Sequence, residues 1–169
     1  ADNLTIADTG HCGITIRSGD DDVGTIFFSD ATSGTDEYVG YVQYDHSGNF
    51  MKWQTNGAER MRIDSSGNVG IGTTSPTSFS SEADNLVISG SGHTGITIDA
   101  TSSTNSAIYF ADGTSGNEQY RGYIYYEHSN DLFRIATAAT ERMVIDSSGN
   151  VGIGATPLSV QSGYVNLQL

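Results

Sequence analysis

Acidic residues dominate the ionisable side chains of this sequence, so the first chemistry to test is carboxylate chemistry. The 169 residues include 20 Asp and Glu but only 7 Lys and Arg. A glycosidase needs two carboxylates about 5–10 Å apart, one of them with a raised pKa. Asp64 and Asp146 instead open identical D-S-S-G-N segments, in which an aspartate accepts hydrogen bonds from the backbone just after it. This pattern predicts turns and no catalytic residue.

Two further groups of side chains have the residue types of a metal site but not its spacing. Asp20-Asp21-Asp22 could offer oxygens to Ca²⁺, which takes 6–8 oxygen ligands, but no spaced ligands or closing glutamate follow. His11 and His93 occupy matching positions, as do His46 and His128. Such histidines could ring the axis of a trimer and hold a transition metal, yet there is no H-x-H pair. We therefore predict that the three aspartates lie in a solvated loop and that the histidines have turn or packing roles. We predict no metal site and no cofactor.

The charge of the chain excludes several classes of partner. The formal net charge is −13 and the sequence pI is about 4.3. Nucleic-acid binding needs a basic surface, and so does a polybasic membrane contact. No apolar run approaches the ~20 residues of a membrane span, so we predict no membrane insertion. Cys12 is the only cysteine; it predicts no disulfide within the chain and no zinc cluster, and we expect it to be a buried spectator.

The elements that position these residues occur twice in the sequence. Residues 1–76 recur without a gap at residues 83–158, and the run I-D-S-S-G-N-V-G-I-G is shared at Ile63–Gly72 and Ile145–Gly154. A fixed period predicts tandem modules. We therefore predict a first β module at 1–76, a linker at 77–82 and a second β module at 83–158. Residues 159–169 are interpreted as the start of a third repeat or an inter-protomer strand, in a piece of a longer protein.

Apolar and polar residues alternate along both copies, which predicts strands and an all-β fold. Positions that stay apolar in both copies are expected to form the buried face, and positions that change are expected to face solvent. Leu, Ile, Val and Phe make up only about a fifth of the chain, near the lower limit for a folded protein. We therefore expect a symmetric homo-oligomer in which several chains share one core. The predicted core of the repeat is Ile14, Ile16, Ile26, Phe28, Met61, Ile63, Val69, Ile71, Ile96, Ile98, Ile108, Phe110, Met143, Ile145, Val151 and Ile153.

Several local signals refine the predicted strands. One strand is expected over Tyr38–Tyr44 and its copy, with Gly40 inside it as a bulge or a close backbone approach. Another is expected over Phe50–Thr55, before a turn at Asn56-Gly57. Two glycines, at 70 and 72, leave one face of a later strand bare, so another backbone is expected to pass close to it, at a three-fold axis or a chain crossing.

Charged and aromatic side chains supply the candidate contacts. Glu59-Arg60 and Glu141-Arg142 persist in both copies, although Arg62 becomes Val144, and we predict ion pairs between chains. The aromatic residues cluster in each copy; sheet packing explains most of them, while exposed tyrosines beside carboxylates could also stack on a receptor sugar. This cluster comprises Tyr38, Tyr41, Tyr44, Trp53, Tyr120, Tyr123, Tyr125 and Tyr126.

The segment E-R-M-R-I-D-S-S-G-N-V-G-I-G-T-T-S-P at Glu59–Pro76 resembles the distal tail-fibre and tailspike-like proteins of bacteriophages. Its copy at Glu141–Pro157, Y-F-A-D-G-T-S-G at Tyr109–Gly116 and R-G-Y-I-Y-Y-E-H-S at Arg121–Ser129 extend the resemblance over nearly the whole chain. The resemblance implies an elongated fibre on a virion: an intertwined homotrimeric β shaft, similar to a β-prism or a triple β-helix.

These observations lead to three hypotheses of function. The first is a non-enzymatic segment of a phage tail fibre, extracellular, which supports host adsorption and contacts a cell-surface glycan or protein receptor. The second is a non-viral extracellular filament, a homopolymer in which the terminal strand docks into the next protomer. The third is a tailspike-like enzyme that depolymerises glycans. The resemblance favours the first.

Overall fold

The computed structural model describes residues 9–158 and 167–168, and its fold is all-β, as the alternation predicts. The chain divides into two units, Ala1–Gly95 and Ile96–Leu169, each with one six-stranded sheet. Apart from strands, the described residues contain only short 3-10 turns, at Thr35–Tyr38, Pro76–Ser78 and Gly116–Tyr120. No helix in the described part of the chain is long and apolar enough to cross a membrane.

The sheet of the first unit, sheet 1, follows the chain from one edge to the other. Neighbouring strands are antiparallel except the last two, which are parallel. Its strands in order are β1 (Val23–Phe28), β2 (Gly40–Asp45), β3 (Phe50–Thr55), β4 (Ala58–Ile63), β5 (Val69–Ile71) and β6 (Leu86–Ile88).

The sheet of the second unit, sheet 2, has the same order and the same directions. Its strands are β7 (Asn105–Phe110), β8 (Gly122–Glu127), β9 (Leu132–Thr137), β10 (Thr140–Ile145), β11 (Val151–Ile153) and β12 (Leu167–Gln168). The two copies of the sequence therefore fold alike, each into one sheet.

The sheets are offset from the sequence repeats. Leu86–Ile88 lies near the start of the second repeat but pairs with β5 of sheet 1, and Leu167–Gln168 pairs with β11 in the same way. The division after Gly95 accordingly falls later than the linker expected at 77–82. Each sheet is completed by residues that follow its own copy of the repeat.

Turn residues set the hairpin between β3 and β4 and its counterpart between β9 and β10. Asn56 and Gly57 both have positive φ, 51° and 68°, as a two-residue type I′ turn requires. The turn predicted at these residues is confirmed. In sheet 2 the same positions are Ala138 and Ala139, whose φ values are 52° and 55°. A left-handed conformation costs a residue with a Cβ about 1–2 kcal/mol.

The segment before β2 differs from the prediction. Thr35–Tyr38 forms a 3-10 turn and the strand begins only at Gly40, where one over Tyr38–Tyr44 was expected. Gly40 pairs with Phe28 at the start of the regular β1–β2 register, so it is not a bulge. A Cβ on it would lie 3.5 Å from the Cβ of Phe28, an ordinary contact.

The strands expected around Ile14 and Ile96 are also not formed. Residues 11–19 and 93–100 have no strand assignment, because the described chain places no ladder partner beside them. Ile16 instead lies against Gly24, and the Ile98 carbonyl accepts a hydrogen bond of 2.8 Å from Ser106 Oγ. We call residues 11–19 the arm of sheet 1 and residues 93–100 the arm of sheet 2. Each arm precedes the first strand of its sheet, β1 or β7.

Candidate functional site

Each sheet has one apolar face, defined by the register of its strands. In sheet 1 this face extends across four strands through three register pairs: Ile26 with Val42, Val42 with Trp53, and Trp53 with Met61. The apolar face of sheet 1 comprises Ile26, Phe28, Val42, Tyr44, Met51, Trp53, Met61, Ile63, Val69, Ile71, Leu86 and Ile88, and that of sheet 2 comprises Ile108, Phe110, Ile124, Tyr126, Phe133, Ile135, Met143, Ile145, Val151, Ile153 and Leu167.

The described residues cover the apolar faces only in part; in sheet 1 Ile16 lies against Gly24, on the same side of β1 as Ile26. Phe28 and Phe110 are 62% and 56% exposed, and Ile26 and Ile108 are close to half exposed. None of the predicted core residues that lie on strands is buried, and all of them lie on an apolar face. Those in the arms are exposed as well, at 63% for Ile14. The contacts of the described residues do not provide the burial predicted for these side chains, and that burial stays a prediction.

The opposite surface of each sheet, here called the polar face, carries the charges of the paired strand positions. In sheet 1 these are Asp45, Lys52, Glu59 and Arg62, and in sheet 2 they are Glu127, Arg134 and Glu141. Three buried apolar residues, Val87, Ala136 and Val144, also lie on the polar faces. The small core within the chain thus lies on the side opposite the apolar face.

A fold-back of the chain produces part of this burial. After β5 the backbone turns over Gly70, where a Cβ would meet Thr73 O at 2.7 Å, and Pro76 is fully buried. After β11 it turns over Gly152, where a Cβ would collide with Ala155 O. A backbone passes close to Gly70, as predicted, but it is the local backbone at Thr73 of the same chain; the three-fold axis or chain crossing expected there stays a prediction.

The retained glutamates bind arginines of their own chain. Glu59 forms a two-bond ion pair with Arg62 at 2.7 and 2.9 Å. A bulge opposite Trp53 and Gln54 turns Glu59 onto the polar face beside Arg62. Both side chains are less than one-fifth exposed, and the hydrogen bond to Glu59 is the main cause of a raised Arg62 pKa.

In sheet 2 the arginine comes from a different strand. Arg134 of β9 bridges Glu141 and Glu127, the latter at 2.9 Å. Burial lowers the pKa of Arg134, but the hydrogen bond to Glu141 and the charges around it outweigh burial, so its pKa is raised overall. Both glutamates of the predicted inter-chain pairs thus bind arginines within the described chain, and a pair between chains stays a prediction.

The other two members of the predicted ion pairs contact the hairpins. Arg60 Nε donates to Thr55 O at 3.3 Å, and Arg142 Nε donates to Thr137 Oγ1 at 3.1 Å. Both arginines sit at the bulges, which leave them outside the paired register. Each arginine thus contacts the last residue of the strand that precedes its hairpin.

The repeated aspartates hold turns. Asp64 Oδ1 accepts from the backbone N–H groups of Ser66 and Asn68, both at 2.9 Å. Asp146 Oδ1 accepts from the equivalent groups in sheet 2, and its Oδ2 accepts from Asn150 Nδ2 at 2.9 Å. The hydrogen bond from Asn150 is the main cause that holds the Asp146 pKa below its usual range. A general acid needs the opposite shift.

The predicted metal candidates do not come together. Asp20, Asp21 and Asp22 are exposed, and the Asp22 carbonyl accepts from the His46 N–H at 3.0 Å. His128 Nε2 lies 3.0 Å from Ser106 Oγ. Among the described residues no group of three or more His, Cys, Asp or Glu could hold a metal ion.

Two further expectations about single positions can be compared with the structure. His11 and His93 are exposed in the arms, away from a packing role within the chain. Cys12 is exposed, so the expectation of a buried spectator is wrong for the single chain. The physical reason is shared: the arms form no strand and enter no core.

The polar face also carries an aromatic cluster in each sheet. In sheet 1 the Phe27 ring contacts those of Tyr38 and Tyr41 edge to face, at centroid distances of 5.3 and 5.8 Å. In sheet 2 the Tyr123 ring packs edge to face on Tyr109 at 6.1 Å and stacks on Tyr125 at 5.0 Å. Burial is the main cause of the raised pKa of both Tyr123 and Tyr125.

Neither a family model nor a curated protein sequence matches this chain. The assignment of function therefore rests on the residues and their arrangement.

Proposed function

We propose that this chain is a segment of a homotrimeric, β-rich bacteriophage tail fibre that supports adsorption to a host cell and has no enzymatic activity. The observation that carries the proposal is the apolar face of each sheet, which the described residues leave partly exposed. Eleven strand positions on that face hold an apolar or tyrosine side chain in both sheets, from Ile26 and Ile108 to Leu86 and Leu167. Such a face is the surface by which copies of one chain would share a core.

The distribution of charge is compatible with self-association through this face. The chain carries a net charge of −13, so copies repel one another at long range. Its paired strand charges lie on the polar faces, and the apolar faces can therefore meet without bringing carboxylates together. Burying a side chain such as Phe28 or Ile26 contributes roughly 1.5–3 kcal/mol. Several such residues per module would oppose that repulsion.

The trimeric state and the virion are supported by the sequence resemblance. The E-R-M-x-I-D-S-S-G-N-V-G-I-G stretch contributes β4, the aspartate turn and β5 in sheet 1, and the same elements in sheet 2. Three apolar faces around one axis would make a β-prism-like or triple-β-helix-like shaft. Trimerisation would also multiply any receptor contact and raise avidity.

The absence of enzymatic activity is supported by the roles of the carboxylates. Asp64 and Asp146 are held by turn hydrogen bonds, and Glu59 and Glu141 by arginines. The filament alternative needs a terminal strand that docks into another protomer. In this structure Leu167–Gln168 is paired with β11 of its own sheet, which favours the trimer.

Sedimentation equilibrium at several chain concentrations tests the proposal. A closed trimer gives a constant mass of about three times the 17.9 kDa of the chain. A mass that grows with concentration would support the filament instead. A monomer of 17.9 kDa at all concentrations would overturn both. Release of reducing sugar from bacterial polysaccharide would contradict the non-enzymatic assignment.

A further inference from the structure

A shallow pocket on the polar side of sheet 1 combines aromatic walls with hydroxyl and carboxylate groups. It is lined by Phe27, Ser29, Ala31, Thr32, Glu37 and Tyr38. Phe27 and Tyr38 are each about half exposed, and their rings meet edge to face at a centroid distance of 5.3 Å. The pocket therefore offers an aromatic corner beside polar side chains.

We propose that this pocket binds a pyranose ring of an uncharged glycan. A pyranose has one face of C–H groups, which packs on an aromatic ring, and a rim of hydroxyls, which needs hydrogen-bond partners. Tyr38 supplies both an apolar body and a polar tip. Glu37 can accept from sugar hydroxyls, and the Thr32 hydroxyl can both donate and accept.

Charge selects an uncharged sugar over an acidic one. Glu37 lines the pocket, and Asp30 and Asp36 are sequence neighbours of lining residues. None of the residues lining it is a lysine or an arginine. A uronate or a sulfated sugar would therefore be repelled, since like charges brought together oppose binding.

The second unit provides an internal comparison. The positions of Ser29 and Glu37 are taken by Ala111 and Gln119. Gln119 Nε2 donates to Thr114 O at 2.7 Å, and the Glu118 side chain packs where a Cβ on Gly113 would lie. The unit's own side chains thus occupy the corresponding region, and we assign the sugar site to sheet 1 alone.

This assignment rests on the proposed function for its biological setting, because it gives the fibre a class of receptor. The pocket includes Phe27 of the polar face, so an assembly through the apolar faces leaves it open. One site per chain would give three sites per trimer, and weak single-site binding would be raised by avidity.

Saturation-transfer NMR with the full chain tests the site. The probes are the methyl pyranosides of glucose, galactose, mannose and N-acetylglucosamine, with methyl glucuronide as the acidic comparison. We expect transfer to ring protons of at least one uncharged pyranoside and none to the glucuronide. Transfer to the glucuronide as strong as to the uncharged sugars, or transfer to none of the probes, would overturn the proposal.

Matched variants assign the binding to the pocket. Tyr38→Ala should weaken binding of the responding pyranoside about tenfold, equivalent to ~1.4 kcal/mol. Glu37→Gln, which keeps the aromatic corner, should weaken it less. Tyr120→Ala, at the corresponding position of the second unit, should leave binding unchanged. Equal effects of the Tyr38→Ala and Tyr120→Ala substitutions would contradict the assignment.

Sedimentation of the same samples separates this proposal from the fibre proposal. A trimer that binds no pyranoside would remove the sugar site and leave the fibre. A monomer that binds a pyranoside through Tyr38 would keep the sugar site and remove the fibre.

Discussion

The two faces of each sheet differ in how their residues change between the repeats. On the apolar face, Ile26 and Phe28 of the first repeat are matched by the same residue types in the second, Ile108 and Phe110. On the polar face Thr25 becomes Ala107 and Gln43 becomes Tyr125. One face keeps its chemistry while the other varies, although both belong to the same strands. The difference is the one expected if the apolar faces take part in the proposed assembly of copies.

The polar face shows a second kind of difference, in which two changes compensate. Arg62 of β4 holds Glu59 in sheet 1, opposite Lys52 in the register. In sheet 2 the position of Arg62 is Val144, and Arg134 at the position of Lys52 holds the glutamate. The ion pair is therefore kept while its basic member changes strands. The exchange is possible because Lys52 and Arg62 are paired in the register, so an arginine at either position lies close to the glutamate.

The largest expected effect is the loss of assembly when a charge enters the apolar face. Ile26→Asp removes burial of roughly 1.5–3 kcal/mol per chain and places a carboxylate in the shared core. We expect the proposed trimer to dissociate at least about tenfold more readily, measured by sedimentation equilibrium. Thr25→Asp is the matched control on the opposite face, where an aspartate oxygen can still accept from Gln43 Nε2. Equal weakening by both variants would remove the distinction between the faces.

Gly72 and Gly154 occupy matching positions directly after β5 and β11, so their substitution allows the two sheets to be compared there. Gly72 and Gly154 have similar positive φ, 73° and 70°. A Cβ on Gly72 would collide with Ser89 O, whereas none of the described atoms lies within 4 Å of one on Gly154. Gly154→Ala should cost about 1–2 kcal/mol from its conformation alone. Gly72→Ala should cost about 1–3 kcal/mol more because the backbone must shift.

Urea denaturation at one chain concentration measures both glycine variants. Similar losses of unfolding free energy would mean that the backbone after β6 does not pack on Gly72. The two sheets would then have the same surroundings at Gly72 and Gly154.

The exchanged ion pair can be tested by moving it. Arg62→Val leaves the part-buried Glu59 without its partner and should cost about 1–3 kcal/mol. Adding Lys52→Arg to that variant reproduces the arrangement of sheet 2 and should restore the larger part of the loss. Arg62 also lies over the Phe50 ring at 4.1 Å, and this contribution should not return. Thermal unfolding of the single and double variants gives the comparison, with Lys52→Arg alone as control; no rescue would show that the two arrangements are not equivalent.

The smallest effect is a gain in stability at the hairpin of sheet 2. Ala138 and Ala139 adopt the left-handed conformation that Asn56 and Gly57 adopt in sheet 1. Replacing both alanines by Asn and Gly should stabilise the second unit by about 1–2 kcal/mol, since these residues tolerate positive φ. An increased midpoint of thermal unfolding checks this, whereas an unchanged or lower midpoint would argue against strain at the turn.

Much of the fold could be predicted from local sequence signals. The strand over Phe50–Thr55, the Asn56-Gly57 turn and the turn roles of Asp64 and Asp146 depend on neighbours within a few residues, and they are found as predicted. The close backbone at Gly70 is also found, because a bare strand position leaves room for one. The arms were expected to be strands, since alternation indicates a strand without showing whether a partner strand is available.

The contacts of the glutamates could not be predicted in the same way. Glu59 and Arg62 are three residues apart, and simple alternation would place them on opposite faces. The bulge in β4 brings them together, and no residue in E-R-M-R indicates it. Between the repeats Arg62 is replaced by Val144 and Lys52 by Arg134. These two changes together are the sequence signal that could have revealed the exchange. The pocket at Phe27 and Tyr38 depends on the 3-10 turn, which the alternation did not indicate.

The accessibility of two adjacent phenylalanines tests the central claim most directly. Phe28 lies on the apolar face and Phe27 on the polar face, and in the single chain Phe28 is the more exposed, 62% against 47%. Each phenylalanine is replaced by cysteine, one at a time, in a Cys12→Ser background. Each native variant is then treated with a maleimide, and its rate of labelling is divided by the rate measured for the same variant in urea. Assembly through the apolar faces predicts that the Phe28→Cys protein reacts at least about tenfold more slowly than the Phe27→Cys protein. A faster reaction at position 28, the order expected from the single chain, would contradict the account.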